Sequence, residues 1–519
     1  MRQSGAPKFS KLAALLLCLL GAYVMVWLWF GRYHFLDDAF ISLRYADMLL
    51  RHGYFTYDGL TRTGGASSPL YIFVLAAVQA LAPSSLVPKL VSIFCYVLLL
   101  AGTLWLSLRA RLRFRHWVLW VGLLLSLCGP MGVRWLTDGM ETSLVAIAAV
   151  GLPVLITRAA ARNPVSTRTA LILTGVGAAS IFLRVEFAYL LSFSAVALFA
   201  QVAFKPGWAS LSCAQSRLLL GHVGALLLGF LSLYAVWGGL LPDTAVAKSA
   251  GPVPLDLEGL MGFIKVVGAS GSLGAGVFIL WAISAILALR SSAEPRIRVS
   301  TALINTALPL MCLLILARGQ TLQGVRHLLW CPLFLLSWNI CTLQLHDLKG
   351  SGNLRPAAAR WSRVFVLLIL ALYCVESVPA YRILRGVGNC YRAMRMARLE
   401  RLQAQTGVAY DIGFIGYFTG SRICDLSGLV NGRSVALFSS SERLRWCAEQ
   451  RPGYAFLNSL QAADLTSSLR LEDWRVCSKY PSPKVRSEDA HYLLVAPAIA
   501  RSVCADEAPV VSAWLKGSL

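Results

Sequence analysis

Two carboxylates, Asp37 and Asp38, stand side by side just after the first apolar run of the chain. Adjacent like charges beside a low-dielectric wall do not both ionise cheaply, so one is pushed towards a pKa at which it can act as a base. The chemistry such a base serves is removal of a proton from a hydroxyl. The same segment, "LDDAFISLRYADMLL", sets Phe40, Leu43, Ala46 and Leu50 on one helical face and Arg44, Asp47 and Arg51 on another. That pattern predicts a helix lying in a membrane interface. One aspartate could cap this helix, which accounts for one carboxylate and leaves the other.

Three more segments bring polar side chains to the ends of apolar runs. "VRWLTDGMETSL" carries Arg134, Asp138 and Glu141, and the two acids have capping-box spacing. "GGLLPDTAVAKSAG" carries Lys248, and "ARGQTLQGVRHLLW" carries Arg318, Arg326 and His327 beside Trp330. Cations at such places ordinarily snorkel to the interface. Carboxylates that accept a proton and cations that hold a phosphate together suit one reaction class, transfer of a group from a membrane-anchored phosphate to a hydroxyl. Once neutralised by Lys or Arg the phosphate leaves well, so no strong general acid is needed.

The elements that must position these residues are helical and apolar. Of 519 residues 57% are hydrophobic and 14% charged, with a mean hydropathy of +0.63. That composition predicts a polytopic α-helical membrane protein. The net charge of +23 is spread through short loops between apolar runs. It therefore points to an anionic membrane face and away from nucleic acid. The first apolar run, to Phe30, is longer than a signal-peptide core and lacks a small-residue cleavage site, so it reads as an uncleaved span.

Twelve apolar runs are present, and charge decides which of them cross. If the run at 68–82 lies along the outer surface, nineteen Lys/Arg fall inside against two acids, Glu294 and Asp347. The acids of the opening segments then collect outside. This gives about eleven transmembrane helices plus interfacial helices, with residues 1–380 as the membrane module. Its first outer loop, 31–85, carries the aspartate pair. Residues 381–519 form a small C-terminal α/β domain on the periplasmic face. In it "YRAMRMARLERLQAQTG" reads as a surface helix, and "VAYDIGFIGYFTG" and "AHYLLVAP" read as β-type runs. Five of the thirteen cysteines (Cys390, Cys424, Cys447, Cys477 and Cys504) fall in this tail. None has metal-site spacing, and one or two disulfides are expected there, with the pairing left open.

The phrases "LDDAFISLRYADMLLRHGYFTYDG", "GGASSPLY", "DGMETSL", "LRVEF", "LPDTAVAK", "VRHLL" and "DIGFIGYFTGSRICDLSGLV" follow one another in order. Through them the chain resembles the GT-C superfamily of membrane glycosyltransferases. Within it the resemblance is to the bacterial arabinofuranosyltransferase-like branch, which includes the mycobacterial terminal β-1,2-arabinofuranosyltransferase and pilin arabinosyltransferases. It spans about residues 33–431. It implies inverting transfer of a sugar, D-arabinofuranose, from a polyprenyl-phosphate donor to a glycan, lipid-glycan or pilin hydroxyl at the outer face of the bacterial inner membrane. By that analogy Asp37 is the general base and Asp38 orients the acceptor or the sugar hydroxyls. Lys248, Arg326 and His327 grip the donor phosphate with Arg44 beside them, and Glu141, Glu186 and Asp138 contact substrate. Glu186, in "LRVEF", stands where relatives often carry Asp. No metal or other cofactor is expected. A transporter or flippase of lipid-linked sugars is the alternative, but its usual signs, internal repeats and midplane charges, are missing from the sequence.

Overall fold

The computed structural model describes residues 11–109, 114–161, 165–203, 213–247, 267, 270–291, 294–317, 329–347, 355–397, 399–481, 490–505 and 508–518. A backbone in hydrocarbon has no water to satisfy its N–H and C=O groups, and a helix satisfies them within one segment. The apolar runs fold accordingly. Among the described residues the helices are α1 (Lys11–Phe30), α2 (Asp37–His52), α3 (Pro69–Leu81), α4 (Val87–Arg109), α5 (Phe114–Cys128), α6 (Pro130–Leu136), α7 (Thr142–Ala160) and α8 (Thr167–Leu183). They continue with α9 (Phe187–Ala203), α10 (Cys213–Trp237), α11 (Asp243–Ala247), α12 (Gly271–Ser291), α13 (Pro295–Asn305), α14 (Ala307–Ala317), α15 (Trp330–Asp347) and α16 (Arg355–Met396).

By length and composition, four described helices suffice to cross a bilayer: Val87–Arg109, Thr142–Ala160, Ser216–Trp237 and Gly271–Arg290. A fifth arises if Val118–Cys128 and Pro130–Leu136 count as one broken span, bent by 73°. The sequence reads 117–130 as a straight run. Pro130 lacks the N–H that would continue the ladder, so the chain turns at Gly129 and restarts. The run at 68–82 is a separate helix, α3, as expected. Its neighbours are α2, α4 and α8.

The C-terminal part holds a five-stranded sheet of β1 (Thr406–Ala409), β2 (Arg422–Asp425), β3 (Tyr454–Asn458), β4 (Arg475–Tyr480) and β5 (His491–Val495), in the order β2-β1-β3-β5-β4. β1 runs parallel to β2 and β3, whereas β5 is antiparallel to β3 and β4. The helices α17 (Gly413–Thr419), α18 (Arg433–Ala436), α19 (Ser440–Glu449), α20 (Ser459–Leu469), α21 (Pro497–Val503) and α22 (Val511–Ser518) complete it. α19 and α20 each begin in a capping box, Ser439 with Glu442 and Asn458 with Gln461. Disulfides join Cys424 to Cys447 and Cys477 to Cys504, while Cys390 is a buried free thiol on α16.

Two expectations change here. The division expected at residue 380 falls inside α16, which runs unbroken past it and absorbs "YRAMRM". "DIGFIGYFTG" is a helix in its greater part, not a strand. Its apolar residues sit at helical spacing over one short turn-rich stretch, and a partner from far away in the chain caps its start.

Candidate active site

Asp37 and Asp38 are the first two residues of α2, and the N-cap position belongs to Leu36. Neither aspartate therefore caps its own helix as that position would. Successive residues on a helix point about 100° apart, so the pair diverges. Asp37 turns to the C-terminal domain. Its Oδ2 accepts the Gly413 N–H and its Oδ1 the Phe414 N–H, both at 2.7 Å. It thus caps α17, and Gly413 is required because a Cβ there would fall 1.8 Å from the Asp37 carbonyl oxygen. Burial, and then the neighbouring Asp411, push Asp37 up to about 8, against the opposing pull of the two N–H groups. Asp411 in turn meets His491 Nε2 at 3.0 Å, with His491 wholly buried.

Arg44, one helical face further along α2, is buried too. Its Nε donates to the Tyr57 carbonyl at 2.7 Å, one Nη to the Gly416 carbonyl and the other to the Ser421 carbonyl at 2.6 Å. The guanidinium lies over the Tyr57 ring, 4.5 Å from its centroid. All three nitrogens are engaged in holding α17 and its flanking turns onto α2. The phosphate-binding role expected of Arg44 is replaced by this clamp.

Asp38 points elsewhere. It borders a hollow of about 320 Å³ together with Ser42 of α2 and the turn Gly65–Ser68. It is lined further by Glu141, Arg184 and Glu186, the approach to α11, and Leu429 from the C-terminal domain. Small-molecule pockets start at roughly 300 Å³. Gly65 lets the two parts of the protein meet, since a Cβ would sit 2.6 Å from the Leu429 carbonyl oxygen. Asp243 fixes the turn from below by accepting the Gly64 N–H at 2.8 Å. At the end of this turn α3 begins, with Ser68 as N-cap and Pro69 behind it. The Ser68 hydroxyl is buried and caps nothing, and it has no hydrogen-bond partner among the described residues. A helix N-terminus with an unspent hydroxyl is receptive to an anion.

The second charged group of the hollow is a triad in which Arg184 and Glu141 are buried and Glu186 is partly exposed. Arg184 reaches Glu141 Oε1 at 2.7 Å with one Nη and Glu186 Oε1 at 2.7 Å with the other, while its Nε meets Glu186 Oε2 at 3.2 Å. Burial alone would raise Glu186, but the Arg184 charge and its hydrogen bonds outweigh it and hold the carboxyl below its usual range. The capping box expected of Asp138 and Glu141 is not formed. Glu141 occupies the N-cap of α7 without a cap bond, because its carboxylate is turned to Arg184. Asp138 is fully buried behind the hollow, where Oδ1 accepts the Met140 N–H at 2.9 Å and its carbonyl accepts Leu36 N–H. It does not border the space available to a substrate.

Of the residues singled out in the sequence, then, Asp38, Glu141 and Glu186 come together at one hollow. Asp37, Arg44 and Asp138 face away from it. Lys248, Arg326 and His327 lie outside the described residues. Sequence reasoning passed over Arg184, although it stands two residues before Glu186 at the end of an apolar run. It also passed over Ser68 at the head of a helix opened by Pro69. Among the described residues no group of three His, Cys, Asp or Glu side chains is gathered as a metal site would require.

No curated protein matches the chain by sequence. A family model described as a domain of unknown function, DUF8728, matches residues 385–499. Among solved structures, the chain is similar to ArnT from Cupriavidus metallidurans, determined bound to undecaprenyl phosphate. The TM-score is 0.50 at 12% identity, over 93% of this chain and 99% of that one. The likeness spans nearly the whole of both chains, and it shows that they share a fold.

Proposed function

We propose that the chain is an inverting glycosyltransferase that moves a sugar from a polyprenyl-phosphate donor to an acceptor hydroxyl. The observation that carries this reading is that Asp38 and the N-terminus of α3, with its unspent Ser68 hydroxyl, line one hollow. The fold likeness to a protein bound to undecaprenyl phosphate supports the same donor class. In this reading Asp38 takes the proton of the acceptor hydroxyl as its oxygen attacks the anomeric carbon. The bond from that carbon to the phosphate oxygen breaks, and polyprenyl phosphate leaves with the electron pair. The α3 N-terminus, together with Lys248, Arg326 and His327, receives its negative charge. Glu141, Arg184 and Glu186 hold the sugar hydroxyls.

The base role thus passes from Asp37 to its neighbour, because both oxygens of Asp37 are engaged with α17. Arabinofuranose as the sugar and a cell-envelope glycan or pilin as the acceptor are proposed on the family resemblance. The eleven-span arrangement with the hollow and sheet outside is proposed on charge distribution. Two disulfides in the C-terminal domain suit an oxidising, extracytoplasmic setting. The proposed reaction uses no metal, so chelation leaves turnover unchanged.

The test is single-turnover transfer from a synthetic polyprenyl-phosphoryl arabinofuranose by purified protein. Asp38→Asn is expected to lose about 10²–10⁴-fold in rate. Transfer at the wild-type rate by a folded Asp38→Asn enzyme would remove the base from this site.

A further inference from the structure

Outside the hollow, one side of α16 borders a shallow groove of about 600 Å³ between Ser377 and Asn389. The surface changes character along this helix. Val375 and Val378, 74% and 57% exposed, continue an apolar face suited to lipid. At the next turn the Tyr381 ring meets Phe30 edge-on at 5.3 Å, beside the exposed Trp29 at the end of α1. Such an aromatic band marks the level where hydrocarbon gives way to headgroups. Immediately beyond it Arg382 and Arg385 face outward, three residues apart and so neighbours on the helix surface. Among the described residues no acidic side chain lines the groove. Asn389 closes it one turn on. Its Oδ1 accepts from Arg392 at 2.8 Å, which leaves the amide nitrogen as its remaining donor.

We propose that this groove seats the phosphate of an anionic phospholipid from the leaflet on the C-terminal-domain side, with the acyl chains along Val375 and Val378. Snorkelling would explain one cation at this height. It does not explain two guanidinium forks side by side in a concave, acid-free wall directly above an aromatic band. Two forks match the oxygens of one phosphate, and the apolar turn below matches the chains attached to it. The groove shares no residue with the hollow, so the proposal stands apart from the transfer reaction. Its consequence is that a bound lipid steadies α16 where it leaves the membrane.

Native mass spectrometry of the purified full chain, titrated with phosphatidylglycerol and with phosphatidylcholine of equal chain length, tests it. Phosphatidylglycerol is expected to be retained preferentially. The preference is expected to fall about ten- to thirtyfold in Arg382→Gln/Arg385→Gln and to weaken as salt rises. Arg382→Lys/Arg385→Lys should keep part of it, and Arg445→Gln, on the exposed side of α19, should leave it intact. Equal retention of both lipids by the wild-type chain overturns the proposal. So does an undiminished preference in the double Gln variant, or displacement of phosphatidylglycerol from the groove by undecaprenyl phosphate.

Discussion

The carboxylate of Asp37 and the backbone N–H of Gly413 meet at 2.7 Å although 376 residues of chain separate them. An acid at the first turn of α2 thereby caps a helix of the C-terminal domain. The proposed base, Asp38, sits one residue along on the same turn. Its position is therefore tied to the seating of that domain.

Loss of the Asp37 cap should loosen the C-terminal domain by about 2–3 kcal/mol, two hydrogen bonds to a partly exposed acceptor. Gly413→Ala should do so more severely, because its Cβ overlaps the Asp37 carbonyl. The pH dependence has a definite sign. Asp37 is raised from 3.8 to about 8 by burial and then by Asp411, so folding favours the protonated form. Its contribution is complete below pH 3.8 and is lost as pH climbs through about 8. Protease resistance of the domain should therefore decline between about pH 4 and pH 8 and level off above that, and Asp37→Asn should flatten that decline.

Arg44 satisfies three carbonyls from two turns of the C-terminal domain and from the loop before α3. Arg44→Met should cost about 3–5 kcal/mol by stranding buried acceptors. Arg44→Lys should rescue little of it, since one ammonium cannot reproduce a planar fork. Thermal unfolding of the three proteins reads this. Donor affinity per folded molecule should not change, which separates a clamp from a phosphate ligand.

Arg184→Ala should leave Glu141 buried beside an uncompensated neighbour, at about 3–5 kcal/mol. Glu186→Gln should be milder, because that side chain is 35% exposed. Acid has a predictable effect on the triad. The lowered value of Glu186 means its pairing contributes fully above pH 4.5 and is lost as pH falls through the folded value. Unfolding curves at pH 3 and pH 6 should differ by less in the Glu186→Gln protein than in wild type.

Reduction of the Cys424–Cys447 bridge should destabilise the C-terminal domain by about 3 kcal/mol, the loop-closure effect for a separation of 23 residues. Cys424→Ala/Cys447→Ala should show the same loss without reductant. Chemical denaturation followed by Trp474 fluorescence, within the core of that domain, measures it.

What the sequence could reveal was local. The adjacency of Asp37 and Asp38, the helix that follows them and the separate helix at α3 each follow from residues a few positions apart; the two faces expected of α2 do not, since Arg44 is buried and Leu50 exposed. Which aspartate faces the substrate space did not, because the answer depends on Gly413. Glu141 looked like a capping residue for the same reason. Its partner Arg184 is 43 residues away, and a buried ion pair outcompetes a cap. The stretch around Phe414 had the composition of a strand, and its helical state is fixed by Asp37 at one end and by the Arg44 clamp. The odd cysteine also resolves only in three dimensions, with Cys390 on α16 and the other four in two pairs.

Forty-two residues of unbroken α16, at 1.5 Å each, make a rod of about 63 Å, roughly twice the hydrocarbon thickness. The C-terminal domain is consequently carried on the end of a continuous rod rather than on a slack tether. Any movement of the domain against the helical part then calls for unlatching at Asp37 or flexing at Pro379, within the rod itself. Replacing Pro379 would stiffen the rod while leaving every residue of the hollow in place.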